Sequence, residues 1–177
     1  MHNGFVTFNK EKMSKSLGNI ITISDAVKKY TGQVVRLALL SAHYSQPLDW
    51  NDELLNNQKN TLDKWYNLYE EQKNFDSFNA VDILLDDLNT PGFIAKIHEL
   101  YNQANTGDSD KKSLFNRACR FIGLFNISKT EWQNLKKKQI KISEDYIESK
   151  IEERKKEKNN GNYDNADKFR EELLNAG

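Results

Sequence analysis

Residues 87–105 read Asp-Leu-Asn-Thr-Pro-Gly-Phe-Ile-Ala-Lys-Ile-His-Glu-Leu-Tyr-Asn-Gln-Ala-Asn, and this stretch decides the fold class. Thr90 can cap a helix and Pro91 suits the first helical position, so a helix should begin here and continue to about Asn105. Its apolar residues recur at helical spacing and should face a core. These residues are Phe93, Ile94, Ile97, Leu100 and Tyr101.

Similar apolar spacing recurs along most of the chain, which has only two prolines and eight glycines among its 177 residues. Folds with many tight turns usually need more of both, so the composition favours helices. Further helices are predicted at residues 26–30, 33–43, 52–73, 78–88, 111–124, 144–158 and 163–174, together with a short helix that begins at Ser128 or Thr130 and contains Trp132 and Leu135. Linkers are predicted at 74–77, 106–110 and 136–142, and Asn159-Asn160-Gly161 should form the turn of a terminal helical hairpin.

The first residues have a different pattern. Gly4-Phe5-Val6-Thr7-Phe8 alternates weakly and predicts a short strand, followed by a polar loop as far as Asn19. Ile20-Ile21-Thr22-Ile23 is rich in β-branched residues and predicts an extended segment. Ser24 should then cap the next helix. The predicted fold class is therefore mainly α, with a short β and loop region at its N-terminal end.

Composition limits the compartment and the partners. Cys119 is the single cysteine, which excludes a disulfide framework and indicates a reducing, cytoplasmic location. No stretch approaches the ~20 apolar residues of a membrane helix. Residues 1–47 contain six Lys/Arg and two Asp/Glu, residues 48–128 contain eight Lys/Arg and thirteen Asp/Glu, and residues 129–177 contain twelve Lys/Arg and eleven Asp/Glu. An RNA partner would favour the first segment and clusters in the third; ordinary solvated helix faces are the alternative.

One motif carries chemistry: Lys12-Met13-Ser14-Lys15-Ser16, followed by Leu17-Gly18-Asn19. Two lysines three residues apart in a small polar loop are poor core material but can neutralise a polyphosphate. When a carboxylate attacks the α-phosphorus of ATP, negative charge develops on the departing pyrophosphate. Ammonium groups that approach at that moment stabilise the transition state more than the ground state.

The motif and its surroundings resemble the cysteinyl-tRNA synthetases, which are class I aminoacyl-tRNA synthetases. The resemblance covers essentially the whole chain and is most specific from His2 to Leu48. It implies that Lys15 contacts ATP, that Lys12 assists at the pyrophosphate, and that Met13, Ser14 and Ser16 complete an ATP-binding loop. Further matching segments are His2-Asn3-Gly4-Phe5-Val6, Ser41-Ala42-His43-Tyr44, Pro47-Leu48 and Asp87-Leu88-Asn89-Thr90-Pro91.

The resemblance also implies a domain order and a set of partners. Residues 1–50 would be the end of the catalytic domain with a stem-contact fold, 51–138 a helical bundle that binds tRNA, and 139–177 an anticodon-binding hairpin. The substrates would be cysteine, ATP with magnesium, and tRNA(Cys). We expect the catalytic half to precede this chain, so that the chain alone is inactive. The family's zinc is expected to have no ligands here.

The terminal hairpin has a further prediction from its residues. Lys158, Tyr163 and Asp167 lie at or after the tight turn and could pair with phosphate, stack on a base and accept from a base edge. They are predicted to contact tRNA, in positions that the resemblance also marks. The alternative is a solvated helix end in which Tyr163 fills the core.

No metal site is predicted. Cys119 lies among apolar residues and should be a core cysteine, and His43 and His98 should have packing or surface roles. Two other functions stay open: a tRNA-binding module without catalysis, and a related ATP-dependent ligase that joins cysteine to a small amine.

Overall fold

The computed structural model describes residues 2–71, 81–139 and 143–176, with side chains except at 138, 139, 144 and 174–176. Near the N-terminus a small sheet contains β1 (Val6–Phe8), β2 (Glu11–Lys12) and β3 (Leu48–Trp50). Strand β1 lies in the middle, antiparallel to β2 and parallel to β3. The predicted strand is confirmed. The polar loop was predicted without β2, and β3 was not predicted, because strands of two or three residues give no periodic signal.

Gly4 brings the entry to β1 against the segment that leads into β3. Its N–H donates to the Tyr44 carbonyl at 2.7 Å. A Cβ at this position would lie 2.0 Å from the carbonyl oxygen of Gln46. Only glycine allows so close a backbone approach. This contact lies beside the parallel pairing of β1 and β3, in which Thr7 is opposite Asp49.

Two short helices follow, α1 (Ile23–Lys29) and α2 (Gly32–Leu40). Helix α1 begins earlier than predicted because Thr22, not Ser24, is the N-cap. The Thr22 hydroxyl accepts from the Asp25 N–H at 3.1 Å and donates to the Asp25 carboxylate at 2.6 Å. The prediction of extended backbone was therefore wrong at Ile23. Helix α2 ends at Leu40, three residues before the predicted end.

Four helices continue the first part of the chain: α3 (Asp52–Asn67), α4 (Asp82–Leu85), α5 (Thr90–Asn105) and α6 (Ser109–Phe121). The helix predicted from the opening stretch is confirmed, but its cap is Asn89 rather than Thr90. The Asn89 side chain accepts from the Gly92 N–H at 2.9 Å, so the helix already includes Thr90. This carboxamide satisfies one of the unpaired N–H groups of the first turn.

The segment between α3 and α5 departs most from prediction. Helix α3 ends at Asn67, well short of the predicted residue 73. The predicted linker 74–77 and the start of the helix predicted from Phe78 lie outside the described residues. Of that helix, Asp82–Leu85 is present as α4. Leu85 and Leu88 are among the apolar residues on which that helix was predicted, yet they are 78% and 51% exposed.

An aromatic core lies among α2, α3, α5 and α6. Phe115 is fully buried, and its ring centroid lies 5.8 Å from those of Trp65 and Phe125. A buried carboxamide, Gln33, connects this core: it donates to the Tyr66 hydroxyl at 2.8 Å and accepts from the Phe125 N–H at 2.6 Å. Burial raises the pKa of Tyr66 to about 12, so its hydroxyl stays protonated at neutral pH.

The chain divides into compact units of residues 1–129 and 130–177. The second unit contains α7 (Lys129–Gln139, which begins at the boundary), α8 (Glu144–Asn159) and α9 (Tyr163–Ala176). Helices α8 and α9 pair as the predicted hairpin, with Ala166 buried between them. The Lys150 ammonium lies 4.6 Å from the Phe169 ring centroid and forms ion pairs with Glu153 and Glu172. The prediction of a linker at 136–142 was wrong at 136–139, which continue α7, and residues 140–142 lie outside the described residues.

The mainly α fold is thus confirmed. The three-domain division at residues 50 and 138 stays a prediction, because the two compact units neither separate the first two domains nor share the second boundary. Across residues 2–71, 81–139 and 143–176, no helix has the length and apolar character needed to span a membrane.

Candidate functional site

The predicted phosphate-binding motif forms a tight loop that leaves β2. Lys12 is the last residue of β2, paired with Thr7 of β1. The chain then turns over residues 15–18: the Gly18 N–H donates to the Lys15 carbonyl at 3.2 Å, and Gly18 has φ +64°. Glycine suits this left-handed conformation because it has no Cβ. The Ser14 and Ser16 hydroxyls lie 3.1 Å apart inside the turn.

Asn19 closes the loop from its far end. Its side-chain N–H₂ donates to the Lys12 carbonyl at 3.2 Å, and its side-chain oxygen accepts from the Ser14 N–H at 2.9 Å. One carboxamide therefore connects both ends of the motif through backbone atoms. It fixes the path of the main chain while it leaves the lysine side chains unconstrained. This role of Asn19 could not be predicted from its position shortly after the motif.

Both motif lysines are available to an anion. Lys12 and Lys15 are exposed, and within the described part of the chain neither forms an ion pair with a carboxylate. The Lys12 ammonium lies 6.0 Å from the ring centroid of Phe5, which is 73% exposed. Met13 and Ser14 are partly buried. The structure therefore places two exposed cations on one short, closed loop, as phosphate neutralisation requires.

In the hairpin, Tyr163 is 62% exposed, which excludes the alternative that it fills the core. It lines an open depression of about 380 Å³ at the turn between α8 and α9. The other lining residues are Gly161, Asn162, Asp164 and Asn165. Lys158 and Asp167 are both exposed but do not line this depression. The structure thus groups Tyr163 with the turn rather than with the other two predicted residues.

Glu157 organises the polar side of the same depression. One of its carboxylate oxygens accepts from the Asn162 side chain at 3.0 Å and from the Asn165 side chain at 3.4 Å. Among the described residues neither carboxamide oxygen accepts a hydrogen bond, so both oxygens can accept from another molecule. Neither asparagine was predicted as a site residue, although residues 159–165 contain an asparagine-rich turn.

Comparison with known proteins gives the family. The family model described as the class I (C) tRNA synthetase catalytic domain matches residues 1–60. A cysteine–tRNA ligase of Pelagibacter ubique (strain HTCC1062) is 49% identical over 180 residues, covering all of this chain and 40% of its own length. The chain belongs to the cysteine–tRNA ligase family.

Other cysteine–tRNA ligases agree with this assignment. That of Wolbachia pipientis wMel is 39% identical over 191 residues, covering all of this chain and 41% of its own length. That of Rickettsia bellii (strain OSU 85-389) is 40% identical over 185 residues, covering 99% of this chain and 39% of its own length. The chain spans about 40% of the length of these relatives.

Among solved structures, the LeuRS of an Agrobacterium radiobacter K84 LeuRS-tRNA-LeuAMS ternary complex aligns with 68% of this chain and 20% of its own. The TM-score is 0.45 and the identity is 19%. A likeness this weak supports no argument, so the family assignment depends on the sequence relatives.

The zinc implied by the cysteine–tRNA ligase family does not fit the described part of this chain. Within it, no group of three or more His, Cys, Asp or Glu side chains is arranged to hold a metal ion. Cys119 is fully buried in α6, where burial raises the pKa of its thiol well above the ordinary value. Its core position is confirmed. His43 contacts Ser45 at 2.7 Å and the Asp87 carbonyl at 2.8 Å, which is a packing role.

Proposed function

We propose that this chain is part of a cysteine–tRNA ligase that activates cysteine with ATP and transfers it to tRNA(Cys) in the cytoplasm. One observation carries the proposal: a closed Lys12–Asn19 loop presents two ammonium groups without carboxylate partners among the described residues, in a chain homologous to such ligases along its whole length. A binding module without catalysis has no use for such a loop.

The loop would act on the activation step. The cysteine carboxylate attacks the α-phosphorus of magnesium-bound ATP, the bond to the β-phosphate oxygen breaks, and pyrophosphate leaves with the bonding electrons. Lys15 contacts the ATP phosphates, and Lys12 assists as charge develops on the pyrophosphate. Ser14 and Ser16 can donate hydroxyl hydrogen bonds to phosphate oxygens, and Met13 belongs to the same ATP-binding loop. No proton transfer is required of these residues.

Lys15→Ala in the intact ligase tests this function. Removal of one charge-stabilising donor should lower kcat for cysteine-dependent ATP–pyrophosphate exchange about 10²–10³-fold. Lys96→Ala is the matched control, because Lys96 is paired with Glu99 on the surface of α5 and should leave the rate unchanged. Exchange at the normal rate by the Lys15 variant would remove the basis of the proposal.

The terminal hairpin would contact tRNA. Tyr163 would stack on an unpaired base, with Lys158 near a phosphate and Asp167 accepting from a base edge. The exposed ring, the open depression beside it and the free carboxamide oxygens of Asn162 and Asn165 support this role.

Tyr163→Ala should weaken tRNA(Cys) binding by the ligase by about 1–3 kcal/mol, the usual value of one base–aromatic stack. Tyr146→Ala serves as a control, since Tyr146 is partly exposed on α8 beside Lys150 and away from the turn residues. Filter binding or fluorescence anisotropy measures both affinities. Equal affinities for the two variants and the unmodified ligase would exclude base stacking at Tyr163.

A further inference from the structure

The turn that precedes the motif is built from unfavourable backbone conformations. Asn9 and Lys10 connect β1 to β2, and their φ angles are +51° and +68°. Two consecutive positive φ values define the two-residue turn that best matches the twist of a hairpin. The Cβ of either residue disfavours this region, but the short polar side chain of asparagine can compensate by local hydrogen bonding, whereas that of lysine cannot. The turn therefore needs contacts from outside its own residues.

Strand β3 supplies those contacts: the Asn9 N–H donates to the Trp50 carbonyl at 3.3 Å, and Lys10 is held by the side chain of Asp49. One oxygen of its carboxylate accepts from the Lys10 backbone N–H at 2.6 Å and from the Thr7 hydroxyl at 2.6 Å. The other oxygen accepts from the Asn51 side chain at 2.8 Å. The hydrogen bond from Thr7, followed by that from the Lys10 N–H, lowers the pKa of Asp49, so the carboxylate is ionised at neutral pH.

The geometry of this turn determines where Lys12 lies. Strand β2 has two residues, and in the described sheet it pairs only with β1, through Thr7 with Lys12 and Phe8 with Glu11. Lys12 is two residues from the turn, and its carbonyl is one of the two backbone groups held by Asn19. A change in the turn would therefore displace both Lys12 and the loop that follows.

We propose that Asp49 is a positioning residue for the motif: it holds the Asn9–Lys10 turn and thereby places Lys12 for the departing pyrophosphate, without contacting substrate itself. This inference rests on the proposed function. It assigns to β3, about 35 residues beyond the motif, a part in the activation step.

The test compares Asp49→Ala with Asp49→Asn in the intact ligase. Alanine removes every acceptor, whereas asparagine keeps one oxygen for Lys10 and Thr7. Misplacement of a catalytic group by about 1 Å can cost up to about 10²-fold in rate, so Asp49→Ala should lower kcat for ATP–pyrophosphate exchange about 10–100-fold. The KM for cysteine should be unchanged, and Asp49→Asn should remain within about threefold of the unmodified enzyme. Rates are expressed per active site, from the burst of adenylate formation, so that loss of folded enzyme does not count.

Two further variants separate positioning from general damage. Asp52→Ala removes a nearby carboxylate that accepts from Lys29 at 2.8 Å but makes no contact with the turn, and it should leave kcat unchanged. Lys10→Gly removes the penalty of positive φ, so the double variant Lys10→Gly/Asp49→Ala should recover most of the lost rate. This second variant also gives a result if Asp49→Ala yields little folded protein.

The outcomes are distinct from those that test the function. If the unmodified ligase shows no cysteine-dependent exchange, or Lys15→Ala has no effect, the proposed function fails. If Lys15→Ala is impaired while Asp49→Ala has the normal kcat per active site, the function stands and the positioning role is wrong. Equal losses in Asp49→Ala and Asp49→Asn, or no recovery in the double variant, would also overturn it.

Discussion

The helical bundle and the motif loop are held together by different forces. In the bundle, Phe115 and Trp65 are buried to within 1% of their area and contact each other edge-to-face. In the loop, Lys12 and Lys15 are exposed, and Asn19 closes the backbone through two hydrogen bonds. Apolar burial resists any movement because a cavity is costly, whereas partly exposed hydrogen bonds exchange with water at little cost.

This difference is compatible with the proposed function. A bundle that bound tRNA would need one rigid arrangement. A loop whose lysines stabilised the charge of a transition state would need mobile side chains on a defined main chain. The contrast predicts that bundle substitutions change stability and loop substitutions change rate.

The largest effect is expected at the centre of the bundle. Phe115→Ala should lower the free energy of unfolding by about 3–5 kcal/mol, because it leaves a cavity among aromatic rings. Phe121→Ala, on the same helix but 49% exposed, should cost less than half as much. Urea unfolding followed by circular dichroism measures both. Similar losses for the two variants would contradict the assignment of the core.

A smaller effect on stability is expected in the loop. Asn19→Ala removes two hydrogen bonds outside the core and should cost about 1 kcal/mol or less. Hydrogen exchange at the Ser14 amide should nonetheless accelerate, since that N–H loses its acceptor. Asn19→Asp keeps an acceptor for Ser14 but not the donor to Lys12, so the Ser14 amide should stay protected. A loss of stability like that of Phe115→Ala would mean that the loop belongs to the core.

The smallest effect concerns pH. His98 is exposed on one side, but its ring lies 5.0 Å from that of Trp65. Partial burial, and then the nearby Lys64, lower the pKa of His98 below its ordinary value of 6.5. Between this lowered pKa and 6.5 the unfolded chain binds more protons, so the free energy of unfolding should fall slightly as pH falls through that window. His98→Gln should remove this slope when unfolding is measured between pH 7 and pH 5; a steeper slope in the variant would reverse the sign assigned here.

Much of the fold follows from local sequence patterns. The helix after Pro91 was predicted because proline, a capping residue and apolar spacing agree there, although Asn89 takes the capping role predicted for Thr90. The pattern failed at Leu85 and Leu88, whose spacing looks helical while Asp87 and Leu88 have positive φ. Local periodicity carries no information about such a left-handed turn.

The site could be predicted only in part. The motif itself is contiguous, so Lys12 and Lys15 were visible in the sequence; their roles remain predictions. Asp49 was missed because its partners, Thr7 and Lys10, lie about 40 residues away and meet it only through parallel pairing of β1 with β3. An acidic residue between Leu48 and Trp50 was the single available signal.

Because Gly4 has only a hydrogen atom as its side chain, the small sheet is sensitive to substitution at this position. A side chain at position 4 would clash with the backbone of Gln46. The clash would push apart β1 and β3, whose pairing brings Asp49 to the hairpin turn. Under the proposed function, a substitution at position 4 would therefore lower the rate of cysteine activation, although residue 4 does not contact the nucleotide. The geometry of the motif therefore also depends on the absence of a side chain at Gly4, eight residues before Lys12.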